Sequence, residues 1–297
     1  MGKDLAAKYP AAREVFEEAD IALGFALSAL CFDGPAEQLQ LTEYTQPAIL
    51  TVSIAALRAA EAEGFPRPDF VAGHSLGEYS ALVAAGALSL TDAVKTVRSR
   101  GRYMQGAVPV GTGAMAAILG ADLSLVRSTC EEAAEGQVCS AANINLPNQV
   151  VIAGDAAAID RAIVLLKERG ARRAMRLTVS APFHCSLMNP ARDRLAVDLD
   201  RIQFEKLTTP LVTNVDAKIV NSGAEARDAL VRQVSQPVRW LESVEFLISE
   251  GVQSFIEIGP GKVLSGLVRQ IDRDLRCVNI ENEASLRATR EALGVSG

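Results

Sequence analysis

The chain has 297 residues, 49% of them apolar and only 5% aromatic, a globular composition that excludes disorder, collagen and low complexity and allows about two domains or one large α/β domain. Thirty Lys and Arg stand against 36 Asp and Glu, for a net charge of −6, which excludes a surface built to track nucleic-acid phosphates. The most apolar early run, residues 21–32, falls well short of the ~20 residues a membrane-spanning helix needs.

The first 20 residues read as helix, with Pro10 as a break, and a second helix is predicted over 46–63, with Pro47 in its first turn. Pro68-Asp69-Phe70-Val71-Ala72-Gly73 reads as a strand ending in glycine, followed by an alanine-rich helix over 78–87. Strand, glycine turn and helix is the grammar of an open parallel α/β sheet. The next helix spans 89–106. A different rhythm follows: strand 114–119, helix 123–134, strands 138–143 and 149–153, helix 155–169 with Asp155 as N-cap and Gly170 as its stop, and strand 174–179. That βαββαβ order is the ferredoxin-like split unit. It divides the chain into a large α/β domain, 1–112 and 180–297, and a small subdomain, 113–179. The tail returns to α/β, with strand 211–215, helix 225–234, strand 253–258 and a helix after Gly259-Pro-Gly261.

Five cysteines, Cys31, Cys130, Cys139, Cys185 and Cys277, form no C-x-x-C pair and no metal-like spacing. They read as the reduced thiols of a cytoplasmic protein without a metal site. The amino terminus has neither a signal-peptide apolar region nor the Ser or Thr at position 6 that myristoylation requires.

Gly73-His74-Ser75-Leu76-Gly77 matches G-x-S-x-G at a predicted strand-to-helix turn. Glycines on both sides let a sharp elbow lift the Ser75 hydroxyl clear, and the Leu76 N–H at the helix start is placed to stabilise an oxyanion. A serine nucleophile needs a base, and there are only two histidines, His74 and His184. Side chains of neighbours on an extended segment diverge, so His74 is poorly placed and His184 is the base by elimination. The group orienting His184 is not readable from spacing; any of the 36 acids or a carbonyl would serve. Cys185 has no activating elbow and reads as a small buried residue.

On the 89–106 helix the apolar stripe is Leu90, Ala93, Val94, Val97, Gly101 and Met104. At ~100° per residue Arg100 lies about 70° from its centre, Arg98 about 90° and Arg102 about 130°. Arg100, closest to the interior, is either a boundary arginine snorkelling to water or a guanidinium fork for a substrate carboxylate.

Gly73-His-Ser-Leu-Gly-Glu-Tyr-Ser80, Arg100-Gly-Arg-Tyr-Met-Gln105, Ala181-Pro-Phe-His184 and Ile258-Gly-Pro-Gly261, in this order, resemble the malonyl-CoA:acyl carrier protein transacylases of fatty-acid synthesis, from near residue 1 to about residue 270. The resemblance implies an α/β-hydrolase-like parallel-sheet domain with a ferredoxin-like insertion. It makes Ser75 the acylated nucleophile and His184 its base. It implies that the Gln233 main-chain carbonyl orients the imidazole and that Arg100 grips the malonyl carboxylate. Leu76, Met104 and Phe183, the last matching a malonyl-selecting form of its motif, complete the expected substrate-binding set. Malonyl-CoA and acyl carrier protein are the implied partners of a monomer; the CoA thioester and the phosphopantetheine carrier are substrates, and no cofactor is implied. Arg172, Arg173 and Arg176 are the expected basic patch for an acidic carrier. The family opens with a strand and a Phe-Pro-Gly-Gln-Gly-Ser-Gln-like loop that supplies a second oxyanion N–H, whereas this sequence starts at the Met-Gly that follows it in relatives. The expectation is an open sheet edge and a transferase that is poorly soluble or markedly slow. The alternatives are a serine hydrolase or thioesterase, and an inactive carrier-binding scaffold.

Overall fold

The computed structural model describes residues 1–179 and 181–295. Ser180, expected to open the second large-domain segment, and residues 296–297 at its end lie outside the described residues. The chain begins with α1 (Lys3–Lys8), α2 (Pro10–Leu23), α3 (Leu27–Asp33), α4 (Ala36–Leu39) and α5 (Thr42–Ala62). Extended Tyr9 separates the first two, and Pro10 opens α2 where a missing N–H leaves nothing unpaired. α5 starts four residues earlier than predicted, because the Leu41 carbonyl accepts the N–H groups of Tyr44 and Thr45 at 2.8 and 2.9 Å. Pro47 therefore sits inside the helix rather than in its first turn. Ala48, Leu50, Ala55, Ala56 and Ala59 on α5 have no exposed surface, so this helix runs through the main core.

β1 (Val71–Ala72) leads through a tight turn into α6 (Gly77–Ala84), and α7 (Leu90–Gln105) follows, capped by the Ser89 side chain on the Asp92 N–H. α7 lies close against α5: a Cβ on Gly101 would come within 2.7 Å of the Thr42 carbonyl oxygen. That close approach brings the Arg100 flank of α7 under α5.

The middle of the chain forms β2 (Gly113–Leu119), α8 (Leu123–Ala134), β3 (Cys139–Leu146), β4 (Gln149–Asp155), α9 (Ala156–Glu168) and β5 (Arg173–Arg176). The sheet order is β3-β4-β2-β5, antiparallel throughout, the arrangement that the βαββαβ reading requires. Ile118, Val126, Ile152, Ile159 and Leu166 close a separate core between this sheet and its two helices. Asp155 occupies the N-cap position of α9, but its carboxylate accepts the Val138 N–H at 2.7 Å instead of capping the helix. β5 ends at 176 rather than 179, and Arg176 makes a two-pronged ion pair with Asp160, both bonds 2.7 Å. The expected basic patch is thereby reduced to exposed Arg172 and Arg173.

The chain then forms α10 (Asn189–Leu199), β6 (Leu211–Val212), β7 (Ile219–Val220), α11 (Gly223–Gln233), α12 (Trp240–Ser249), β8 (Ser254–Ile258), α13 (Val263–Ile271), β9 (Arg276–Ile280) and α14 (Glu283–Leu293). Parallel pairing holds for β1 with β6 and for β8 with β9, whereas β6 and β7 form an antiparallel hairpin. β6 stops at 212 because the chain turns at Ala217, whose φ is +50°. Among the described residues β1 and β8 each have a strand on one side only, so both present an edge. The small sheet is tied to the large domain where Val238 exchanges backbone bonds with Ala142 and Ile144, at 2.8 and 2.9 Å. All five cysteines are free thiols. Among the described residues no helix is long and apolar enough to cross a membrane, and no His, Cys, Asp and Glu cluster is arranged to hold a metal ion.

Candidate active site

The turn between β1 and α6 holds Ser75 at a φ of +53°, a left-handed conformation that costs a residue with a Cβ about 1–3 kcal/mol and persists only where its surroundings enforce it. Gly73 makes the turn possible: a Cβ there would lie 2.0 Å from the Gly77 carbonyl group. Gly77 does not mirror it, since a Cβ at that position meets nothing within 4 Å. The steric demand is one-sided, set by the Gly73 backbone packing on the first turn of α6. Leu76 sits at the N-cap of that helix, where the backbone N–H groups have no partner within the helix.

Ser75 Oγ lies 2.7 Å from His184 Nε2, and His184 Nδ1 lies 2.8 Å from the Gln233 carbonyl oxygen. A carbonyl can only accept, so Nδ1 carries the proton and Nε2 accepts the Ser75 hydroxyl. His184 is buried and, like Ser75, left-handed, with φ +60°. Burial first, and the nearby Arg100 cation second, push its pKa down to about 3, so the imidazole is neutral and competent as a base at physiological pH. His74 turns away from this pair. Its Nε2 is 2.9 Å from Asn145 Oδ1 on β3, and its ring is 5.6 Å from that of Trp240. The Cys185 thiol donates to the Pro182 carbonyl at 3.1 Å and is buried.

Arg100 is not at a solvent boundary. Only 2% of it is exposed. Its Nη1 donates to Gln46 Oε1 at 2.7 Å, and its Nη2 to Ser75 Oγ and Gln233 Oε1, both at 3.0 Å. The angular position on α7 was compatible with snorkelling; α5 and α11 cover that flank and leave the side chain no way out. The guanidinium is met by neutral oxygens rather than a carboxylate, which leaves a desolvated cation beside the hydroxyl and favours an anionic visitor. Gln233 is completely buried, and its side chain also donates to the Ser75 carbonyl at 2.9 Å. Sequence reasoning missed Gln46, whose one signal is a glutamine in a helix otherwise lined with buried apolar residues. Phe183 is half-buried and packs against both the main core and the cluster beneath the small sheet. Met104, one turn beyond Arg100, is 1% exposed within the main core.

Two histidines make the protonation state directly checkable. Burial lowers the pKa of both, that of His184 to about 3, so the His184 imidazole NMR signal should not titrate between pH 8 and about pH 5, and that of His74 should titrate below the ordinary histidine value near 6.5. A signal that disappears in His184→Ala and titrates near 6.5 in the wild type would overturn this account of a buried neutral base.

A serine held in a strained elbow, paired with a neutral imidazole of fixed tautomer beside a buried cation, is the apparatus of an acyl-serine enzyme that handles an anionic acyl group. The acyl transferase domain family matches residues 1–286. The chain belongs to this family, among the malonyl CoA-acyl carrier protein transacylases. The transacylase of that name from Escherichia coli (strain K12) is 51% identical over 288 residues, covering 97% of this chain and 93% of that one. Its counterpart from Bacillus subtilis (strain 168) is 48% identical over 294 residues, 99% and 92% of the two chains. Among solved structures, the malonyl CoA-acyl carrier protein transacylase of Coxiella burnetii superposes with a TM-score of 0.96 at 44% identity, over 99% of this chain and 93% of that one. A malonyl-transacylase solved in complex with its type II PKS acyl-carrier protein superposes at 0.95 with 47% identity, over 98% and 94%.

Proposed function

We propose that this protein transfers a malonyl group from malonyl-CoA to the phosphopantetheine thiol of acyl carrier protein, by way of a malonyl ester on Ser75. The observation that carries the reading is Arg100, a buried fork within 3.0 Å of the Ser75 hydroxyl. A general serine hydrolase or thioesterase has no use for a cation there. In the first half-reaction Ser75 Oγ attacks the thioester carbonyl while His184 Nε2 takes its proton. The Leu76 N–H, at the positive end of α6, stabilises the oxyanion. The intermediate collapses, CoA leaves as a thiol carrying the proton from His184, and Ser75 is left malonylated. In the second half the carrier thiol gives its proton to His184 and attacks the ester, and Ser75 recovers its proton. Throughout, the Gln233 carbonyl holds the imidazole in the Nδ1–H tautomer. The malonyl carboxylate replaces Ser75 Oγ as a partner of the Arg100 fork, which frees the hydroxyl for attack. Phe183, immediately before the base, borders the acyl group.

The scheme runs on side chains and peptide dipoles and calls on no metal or bound cofactor. The free thiols fit a cytoplasmic protein. Arg172 and Arg173 are the basic residues left to meet an acidic carrier. Incubation with radiolabelled malonyl-CoA followed by a denaturing gel tests the reading. Label should stay on the protein and pass to added carrier protein. Release of free malonate would identify a hydrolase, and absence of label a scaffold.

A further inference from the structure

Behind Ser75 a single amide grips both flanks of the elbow. Asn214, just after β6, is completely buried. Its Oδ1 accepts the Ser75 N–H at 2.7 Å, and its Nδ2 donates to the Gly73 carbonyl at 2.7 Å. The two groups lie on either side of His74, so one planar side chain spans the turn. The orientation is dictated by the backbone, because a flipped amide would set donor against donor and acceptor against acceptor.

Asn214 is anchored in turn. Glu78, on the first turn of α6, has no exposed surface, and its Oε2 accepts the Asn214 backbone N–H at 2.9 Å and Gln233 Nε2 at 3.0 Å. Its Oε1 is buried with no hydrogen-bond partner among the described residues. Burial is the main cause that pushes this carboxyl up to about 7. A carboxyl kept there at such a desolvation cost is out of place in a merely packed helix. Its two bonds run to the residue that grips the elbow and to the residue that orients the base.

We propose that Asn214 is the positioning residue of the nucleophile, its amide holding Ser75 in the left-handed conformation that aims Oγ at His184, and that Glu78 is the buried anchor of that amide. This rests on Ser75 being the nucleophile. Released from the grip, a residue at φ +53° relaxes towards the ordinary regions and carries its hydroxyl away from Nε2.

The test uses the full chain and two readouts, malonyl transfer and the rate of Ser75 labelling by a fluorophosphonate, which needs the nucleophile and not the malonyl site. Asn214→Ala should lower kcat by about 100-fold, the scale of a 1 Å misplacement, with KM for malonyl-CoA held within about threefold because Asn214 touches the elbow and not the substrate. Fluorophosphonate labelling should slow in parallel. Glu78→Ala should behave alike, and Glu78→Gln should recover most of that loss, since one amide oxygen can accept both bonds. Acting in series, the two alanine changes together should be no more than about threefold slower than Asn214→Ala alone. Labelling of Asn214→Ala at the wild-type rate, or losses that multiply in the double variant, would overturn the proposal. If the alanine variant does not fold, Asn214→Leu decides: it keeps the volume of the side chain but makes neither bond, and wild-type rates from it would overturn the proposal. Slowed labelling of Asn214→Ala in a protein that never transfers malonyl would uphold the grip and reject the malonyl reading alone.

Discussion

Ser75→Ala is expected to abolish covalent malonylation, and His184→Ala to leave a residual rate about 10²–10⁴-fold below wild type. The two differ because in the proposed reaction the serine oxygen is the atom that becomes esterified, whereas the imidazole only makes it a better nucleophile. His184 Nε2 lies 2.7 Å from that oxygen, and Nδ1 is held by a carbonyl. Loss of the ring therefore removes a base already in place without changing what is acylated. His74 supplies the control. It bonds to Asn145 on β3, so His74→Ala should disturb packing between the elbow and the small sheet while leaving a working base. Rapid-quench measurement of label on the protein separates these outcomes. A crippled His74→Ala beside an unaffected His184→Ala would mean that the proton goes elsewhere.

Arg100→Ala should change preference rather than merely lower activity. Without the guanidinium a malonyl carboxylate enters a desolvated site with no counter-charge, a penalty of about 2–5 kcal/mol, or roughly 30-fold to several thousand-fold in kcat/KM. Acetyl-CoA brings no charge and should lose far less. Both substrates share the structural cost, since Gln46 and Gln233 each lose the donor that meets their Oε1. The ratio of the two kcat/KM values is therefore the clean readout. Arg100→Lys should fall between, because an ammonium restores charge but not the planar fork that reaches Gln46, Gln233 and the ligand together. Equal losses for malonyl and acetyl thioesters would leave Arg100 with a structural role only.

Much of this was legible in one dimension because the physics behind it is local. The βαββαβ unit follows from short apolar strands and a glycine stop at Gly170, written within a few residues of where they act, whereas the N-cap expected at Asp155 is not made, because its carboxylate turns to the Val138 N–H. The elbow could be read because Gly73 must be a glycine for the backbone to approach Gly77. Ser75 and His184 could be paired because the chain has only two histidines and one of them adjoins the serine. The limits of α5 and β6 differ from the sequence expectation because a carbonyl at Leu41 and a turn at Ala217 decide them, both invisible to periodicity.

What only the tertiary structure decided is where the polar side chains go once they are inside. The helical period of α7 located Arg100 about 70° off the apolar stripe, an angle equally suited to water or to a site. α5 and α11 settled it by covering that flank with Gln46 and Gln233, 54 and 133 residues away in the chain. Asn214 meets the Ser75 N–H across 139 residues, and nothing in the neighbourhood of either announces the bond. Apolar burial leaves a periodic imprint because water is excluded from a whole face at once. A buried hydrogen bond needs one partner at one distance, and only the folded chain brings that partner within reach.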